Sequence, residues 1–277
     1  MQARHAPAVT GHAGGVREGE TKPGCHMQFA GRVNPIKSAI VCAVILLVAG
    51  CAGIPHDYPR SESHALEDTK NTMLGKQLQQ ELDAHPGQSA FLPLVEGIDA
   101  LAARLGMAQF AESSLDVQYY IWRGDTTGVA FAYQLLEAAD RGVRVRMLLD
   151  DLQASVHDPA LLALDKHPQI EVRMFNPSSS RSFRMFELLS RFEKLNRRMH
   201  NKSFIADNQL AIVGGRNIGD EYFNANLEMD FTDFDVLAQG PVVPEISATF
   251  DLYWNSELAV PISVLYRNAD NTAASLE

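Results

Sequence analysis

A histidine and a lysine two positions apart give the clearest chemical signal in this sequence. His200 and Lys202 open a conspicuous stretch that continues with Asp207, Gly214, Gly215 and Asn217. If residues 200–205 form a strand, alternate side chains share a face, so the imidazole and the ammonium project together. An imidazole can act as a nucleophile or as an acid and base, and an ammonium can neutralise phosphoryl oxygens. The pair therefore suits attack on a phosphate diester.

The residues after this pair extend the same interpretation. Residues 206–209 predict a tight turn, and 210–213 predict a second apolar strand. The glycines at 214 and 215 allow close approach of a ligand to the backbone, and Asn217 offers an amide donor. A buried structural histidine beside a surface lysine would explain His-x-Lys alone. The complete pattern favours phosphate chemistry.

The hydrophobic pattern predicts alternating strands and helices around this stretch. Helical spacing covers about 66–82, 93–111, 128–141 and 158–166, whereas β-branched and aromatic runs cover 115–122, 143–149 and 170–175. A strand–helix–strand–helix–strand order favours an α/β layered domain. We therefore expect a mixed, mostly parallel sheet flanked by helices.

The N-terminal region predicts an address segment, which is a stretch that directs the protein to its membrane and is not part of the fold. Arg32 and Lys37 precede an apolar run over 39–50, and Cys51 follows it. Twelve helical residues rise about 18 Å, too little to cross a bilayer core of roughly 30 Å. The segment resembles the signal peptide and lipobox of bacterial lipoproteins. We expect Met27 to be the true start and Cys51 to be the lipidated residue, on a protein attached to a membrane of the bacterial cell envelope and facing the periplasm. A buried helix or an uncleaved anchor is the alternative.

Charge is unevenly distributed along the chain. The net charge is −10, and residues 1–50 carry five basic and two acidic residues, so 51–277 are more acidic still. Residues 181–202 reverse this sign, with seven basic and two acidic side chains. This segment is either a solvated amphipathic helix or a rim that collects anions beside the site. The acidic balance makes nucleic acid an unlikely partner, and three cysteines are too few for a disulfide scaffold or a paired zinc site.

The motif residues resemble a known family. His200, Lys202, Asp207, Gly214, Gly215 and Asn217 match the HKD motif of the phospholipase D superfamily. The stretches 114–122, 141–151, 197–207 and 213–223 resemble the bacterial cardiolipin synthase C type. The resemblance extends over about 91–254 and implies a phospholipase D-like layered fold.

The resemblance also implies roles for individual residues. It implies a two-step transfer through a phosphohistidine, with no metal and no other cofactor, in which His200 is one of two histidines. Lys202, Gly215 and Asn217 would bind the substrate phosphate. The remaining members of the implied catalytic set are Asp207, more a turn and scaffold residue than an acid, and Asp233, which would orient the histidine. Asp235 and Glu228 are weaker candidates for the orienting carboxylate.

One half of the expected site is visible in this sequence. The resembled enzymes carry two HKD motifs, but among nine histidines only His200 is followed two residues later by lysine. We expect a homodimer, a complementary second HKD half on a separate chain, or an inactive remnant. The predicted organisation is an address segment over 1–50, a tether over 51–88, a catalytic half-domain over 89–257 and a polar tail over 258–277.

The resemblance implies a membrane phosphatidyltransferase as the function. Its substrates would be phospholipids, and the expected reaction makes cardiolipin from phosphatidylglycerol and another phospholipid. Two alternatives remain open from the sequence. The chain is an inactive truncated half of such an enzyme, or it is a single-motif, nuclease-like phosphodiesterase.

Overall fold

The computed structural model describes residues 58–154, 158–178, 198–226 and 231–266 of the chain. The predicted address segment, including Cys51, and most of the basic segment lie outside these residues. The strands are β1 Ala90–Leu94, β2 Ser114–Tyr119, β3 Arg144–Asp150, β4 Ile170–Phe175, β5 Ser203–Ala206, β6 Leu210–Gly214, β7 Asp235–Gln239 and β8 Ala259–Pro261. The helices are α1 Met73–Ala84, α2 Gly97–Phe110, α3 Thr126–Asp140, α4 Asp151–Ala154, α5 Asp158–Asp165 and α6 Val242–Trp254, with a short 3₁₀ turn at Asp220–Tyr222.

The strands form one mixed sheet in the order β1-β7-β6-β5-β2-β3-β4-β8. The predicted α/β layered fold with a mixed sheet is therefore confirmed. The expectation of a mostly parallel sheet is wrong, because only the β2–β3 and β3–β4 pairings are parallel in the described part of the chain. Helical crossovers link those strands, whereas a short turn of three residues, 207–209, joins β5 to β6, so these two strands run antiparallel.

Helices cover both faces of the sheet and create two apolar cores. One core packs α2 and α3 against the sheet, with Phe131 and Leu135 among its fully buried members. The other packs α6 against the opposite face through Phe250 and Trp254. The central strand β2 is buried along its whole length. No described helix has the length and apolar character needed to cross a membrane.

The turn between β5 and β6 confirms the tight turn predicted over 206–209. Asp207 and Asn208 both have φ near +51°, as the two central residues of a type I′ turn do, and the Gln209 N–H closes this turn by donating to the Ala206 carbonyl at 3.0 Å. The buried Asp207 carboxylate accepts hydrogen bonds of 2.7 to 3.2 Å from the backbone N–H groups of Glu112, Ser113 and Ser114. It thereby fastens the hairpin to the connection between α2 and β2.

The described part of the predicted tether is packed against the domain. Arg146 of β3 donates to the Ser63 carbonyl at 2.7 Å, and Arg173 of β4 donates to the Ser61 carbonyl at 2.6 Å. The Trp254 indole donates to the Ser63 hydroxyl at 2.9 Å. The sequence did not reveal these contacts, because carbonyl groups of any polar segment can accept from arginines. At the other end, β8 lies within the predicted polar tail and pairs with β4.

Replacing Asp207 should destabilise the fold strongly. The Asp207→Ala variant leaves three backbone N–H groups without their carboxylate acceptor and puts an alanine at positive φ. We expect the free energy of unfolding to fall by about 3 kcal/mol. Chemical denaturation followed by circular dichroism measures this loss. Asp207→Asn keeps one acceptor oxygen and tolerates positive φ, so it should lose clearly less; equal losses would argue against the carboxylate as a fastener.

Candidate active site

The candidate site lies at the edge of the sheet where the parallel strands end. Residues 200–202 belong to no strand and directly precede β5, so the predicted strand begins later, at Ser203. Because β5 runs antiparallel to β2, with Ser203 opposite Gln118, the start of β5 meets the end of β2. The end of β6 and the start of β7 meet at the same edge. His200 is exposed at this edge, whereas Lys202 is buried.

The structure brings His200 and Lys202 into direct contact. Lys202 Nζ lies 3.2 Å from His200 Nδ1 and donates to the His200 carbonyl at 2.7 Å. Tyr120, just after β2, contacts both side chains. Its ring centroid is 4.9 Å from that of the imidazole and 5.5 Å from Lys202 Nζ. The ammonium and the imidazole thus share one aromatic support.

Burial leaves the Lys202 ammonium partly dehydrated. Loss of water lowers the pKa of Lys202, and the negative charge of Asp233 opposes this shift. A partly dehydrated ammonium gains more from an added anion than a fully hydrated one does. A phosphoryl oxygen is such an anion, so Lys202 is suited to the phosphate-binding role that the sequence predicts.

Asp233 joins the site through Lys202 and Gly215. A methyl group added at Gly215 would lie 2.5 Å from Asp233 Oδ1, so the missing side chain makes room for this carboxylate. The predicted partner of the histidine ring was Asp233, but Lys202 is the group placed at His200 Nδ1. The Gly215 N–H donates to the Phe234 carbonyl at 2.9 Å. Gly215 therefore accommodates a carboxylate in this structure, and its N–H is directed to the protein rather than to a phosphate.

Asn217 connects two parts of the site. Its Oδ1 accepts from the Ile121 N–H at 3.0 Å, and its Nδ2 donates to the Tyr222 hydroxyl at 3.1 Å. Burial raises the pKa of Tyr222, and the Asn217 hydrogen bond opposes this shift. The predicted phosphate donor thus holds the residue that follows Tyr120.

Two predicted carboxylates lie elsewhere. Asp207 follows the far end of β5 and binds backbone N–H groups there. Asp235 is buried against Arg104, 2.9 Å away, and Arg216, 3.4 Å away. The structure therefore brings His200, Lys202, Gly215 and Asp233 together and leaves Asp207 and Asp235 in structural positions. Glu228 and Cys51 lie outside the described residues.

Comparison with known proteins decides the family. The family model described as cardiolipin synthase, PLD-like domain, matches residues 102–254, which is more than half of the chain. The chain belongs to this family. The predicted membership in the phospholipase D superfamily is thereby confirmed.

Curated relatives of this PLD-like domain agree with the assignment. Cardiolipin synthase C of Escherichia coli is 51% identical over 178 residues, which cover 64% of this chain and 38% of that protein. An uncharacterized protein of Helicobacter pylori is 38% identical over 232 residues, 83% of this chain and 46% of that protein. The major cardiolipin synthase of Bacillus subtilis is 31% identical over 163 residues, 58% of this chain and 32% of that protein. The chain spans less than half the length of these relatives.

Two residues of the PLD-like site were missed from the sequence. Tyr120 contacts His200 and Lys202, and Asp150 at the end of β3 accepts from the Met199 N–H at 3.0 Å. Both lie in stretches that carry the family resemblance, 114–122 and 141–151. That resemblance was the available signal, but it assigns them no role.

The described residues contain no group of three or more His, Cys, Asp or Glu side chains arranged to hold a metal ion. The requirement for no metal or other cofactor stays a prediction from the family resemblance.

The contact between His200 and Lys202 predicts the tautomer of the imidazole. An ammonium has only donors, so His200 Nδ1 must accept from Lys202 and the neutral ring carries its proton on Nε2. Nitrogen-15 NMR of histidine-labelled protein, at the lowest pH at which the ring is neutral so that Lys202 keeps its proton, should show this tautomer for the signal that His200→Ala removes. The Lys202→Met variant should shift the signal towards a mixture of tautomers. A wild-type ring protonated on Nδ1 would contradict the assignment.

Proposed function

We propose that this chain supplies one HKD half of a phosphatidyltransferase that acts through a phosphohistidine. The proposed reaction makes cardiolipin from phosphatidylglycerol and a second phospholipid. The observation that carries this proposal is the contact of Lys202 Nζ with His200 inside a PLD-like domain. A buried cation beside an exposed imidazole provides phosphate binding and nucleophilic or acid–base chemistry in one place.

The proposed reaction transfers the phosphatidyl group twice, first to a histidine and then to the acceptor hydroxyl. A ring nitrogen of one histidine attacks phosphorus, and the bond from phosphorus to the leaving alkoxide breaks. The second histidine gives that alkoxide a proton. It then takes a proton from the acceptor hydroxyl, whose oxygen attacks phosphorus and releases the first histidine. Lys202 neutralises the phosphoryl oxygens in both steps.

The position of Lys202 defines what His200 can do at each stage. While Lys202 binds Nδ1, the neutral ring can donate a proton from Nε2 and suits the acid role. When a phosphoryl oxygen takes the ammonium, Nδ1 is free to carry the proton and Nε2 can act as nucleophile or base. Substrate binding therefore permits the change of role that the two transfers require.

The second histidine comes from outside the HKD pair described above. We propose that a second copy of the chain supplies it, since two copies related by a twofold axis can place two His200 side chains against one phosphate. A complementary half on a separate chain is the other source. The lipobox-like stretch ending at Cys51 supports attachment to a membrane of the cell envelope, which contains the proposed phospholipid substrates.

Removal of the imidazole should abolish lipid turnover. Full-length protein incubated with phosphatidylglycerol vesicles should form cardiolipin, detected by mass spectrometry, and His200→Ala should reduce the rate at least about 100-fold. His85→Ala is a matched control, because His85 is an exposed histidine at the end of α1. Silence of folded wild-type protein favours the inactive half, and turnover of DNA without lipid turnover favours the nuclease-like enzyme.

A titration of wild type with an inactive variant tests the origin of the second histidine. If both histidines come from two copies, equal amounts of wild type and His200→Ala after subunit exchange leave about a quarter of the pairs intact. Activity per total chain should then be about a quarter of that of pure wild type. About half would instead show that each wild-type copy works without a second His200.

A further inference from the structure

Asp150 is a buried carboxylate in the immediate surroundings of the candidate site. It is the last residue of β3 and is fully buried. Its Oδ1 accepts from the Leu152 N–H at 3.0 Å and from Arg198 Nη1 at 3.1 Å. Its Oδ2 accepts from the Met199 N–H at 3.0 Å. The carboxylate therefore uses both oxygens, and two of its three donors belong to residues directly before His200.

These contacts control the backbone that carries the imidazole. Residues 198–202 belong to no strand, so sheet hydrogen bonds do not fix them. The Asp150 carboxylate instead accepts from the side chain of Arg198 and from the backbone N–H of Met199. The Met199 side chain is held as well, since its sulfur accepts from Gln118 Nε2 at 2.9 Å. His200 is the next residue: Lys202 holds its carbonyl at 2.7 Å, and Asp150 holds the backbone on the other side of it.

We propose that Asp150 is a positioning residue, which holds the 198–199 backbone so that the His200 imidazole lies against Tyr120 and Lys202. The kinetic part of this inference rests on the proposed function, whereas the structural part does not. Asp150 does not contact the reacting groups and acts only through Met199 and Arg198.

A carboxylate is specifically suited to this task. Burial raises the pKa of Asp150, and the hydrogen bonds from Leu152 and Met199 and the charge of Arg198 oppose the shift. An asparagine in its place would turn an NH₂ group towards donors, either the Met199 N–H or the Leu152 N–H together with the Arg198 guanidinium. A neutral side chain of the same shape therefore loses one attachment and adds a repulsion.

The side chain of Asp165 provides a matched control. It accepts from the Val172 N–H at 2.9 Å, and burial raises its pKa too. It lies near the start of β4, at the edge of the sheet opposite His200. Asp165→Asn therefore removes a comparable carboxylate–amide hydrogen bond without touching the 198–199 backbone.

The first measurement follows the His200 ring by NMR and requires no catalysis. In Asp150→Asn, the ring signal that His200→Ala removes should shift or broaden, and Asp150→Glu should partly restore it. Asp165→Asn should leave it unchanged. Arg198→Gln removes the ion pair and the 3.5 Å hydrogen bond to the Asn176 carbonyl but keeps the Asp150–Met199 hydrogen bond, so it should give a smaller shift; it carries the test if Asp150→Asn fails to fold. An unchanged His200 signal in the folded variants would overturn the proposal.

The second measurement separates positioning from binding. With phosphatidylglycerol vesicles, Asp150→Asn should lower kcat about 100-fold and leave KM within about twofold, because a misplaced imidazole slows the chemical step. A rise in KM at unchanged kcat would overturn the positioning role. If wild type has no lipid turnover, the proposed function fails, and the ring signal still decides the role of Asp150.

Discussion

The ion pairs of the buried Asp235 carboxylate with two arginines are the interaction on which the rest of this structure depends. This carboxylate lies 2.9 Å from Arg104 of α2 and 3.4 Å from Arg216, which follows the end of β6. Removing one partner of a buried ion pair costs about 3–5 kcal/mol, since the remaining charge is left without compensation. The three charges are therefore stable only together. Their assembly requires α2, β6 and β7 to adopt their observed arrangement.

The same ion pairs also fix the geometry of the candidate site. Arg216 also donates to the Leu94 carbonyl at 2.9 Å and to the Tyr222 carbonyl at 3.1 Å, which ties β1 and the 3₁₀ turn to the same point. With the start of β7 fixed at Asp235, the chain two residues earlier places the Asp233 carboxylate over Gly215. The HKD pattern thus contains both chemical and structural residues. His200 and Lys202 face the site, whereas Asp207 and Asn217 hold strands and loops in place.

The sequence predicted those parts of the fold that local patterns determine. The strand 170–175 agrees with β4 at both ends, and the turn at 206–209 is formed by residues that tolerate positive φ. Parts that depend on distant partners were not predictable. The strand β1 contains Pro93 and is exposed along most of its length, so no alternation distinguishes it; its pairing with β7 makes it a strand. The prediction therefore extended a helix into this region.

The same difference between local patterns and contacts of distant residues explains which residues of the site could be predicted. The spacing of His200 and Lys202 placed them together, because residues two positions apart in the chain cannot separate far. The ring contact of Tyr120 and the hydrogen bonds of Asp150 join residues about fifty to eighty positions apart in sequence, and only the folded sheet brings them together. The sequence also assigned Asp233 to the histidine. No local rule shows that Lys202 would bind Nδ1 instead and leave Asp233 to balance the lysine.

The placement of Lys202 links the stability of the site to its chemistry. The protein compensates the buried ammonium with a carbonyl, a ring nitrogen, an aromatic ring and the more distant Asp233 charge. Within the part of the chain that the structure describes, none of these partners is a carboxylate in direct contact, which is the partner that buried ammonium groups usually have. The compensation therefore suffices for folding but leaves the ammonium able to gain from an anion. Because the same ammonium occupies His200 Nδ1, the proposed function has a direct consequence: a phosphate bound by Lys202 would also free the ring nitrogen, which would couple substrate binding to the protonation state of the histidine.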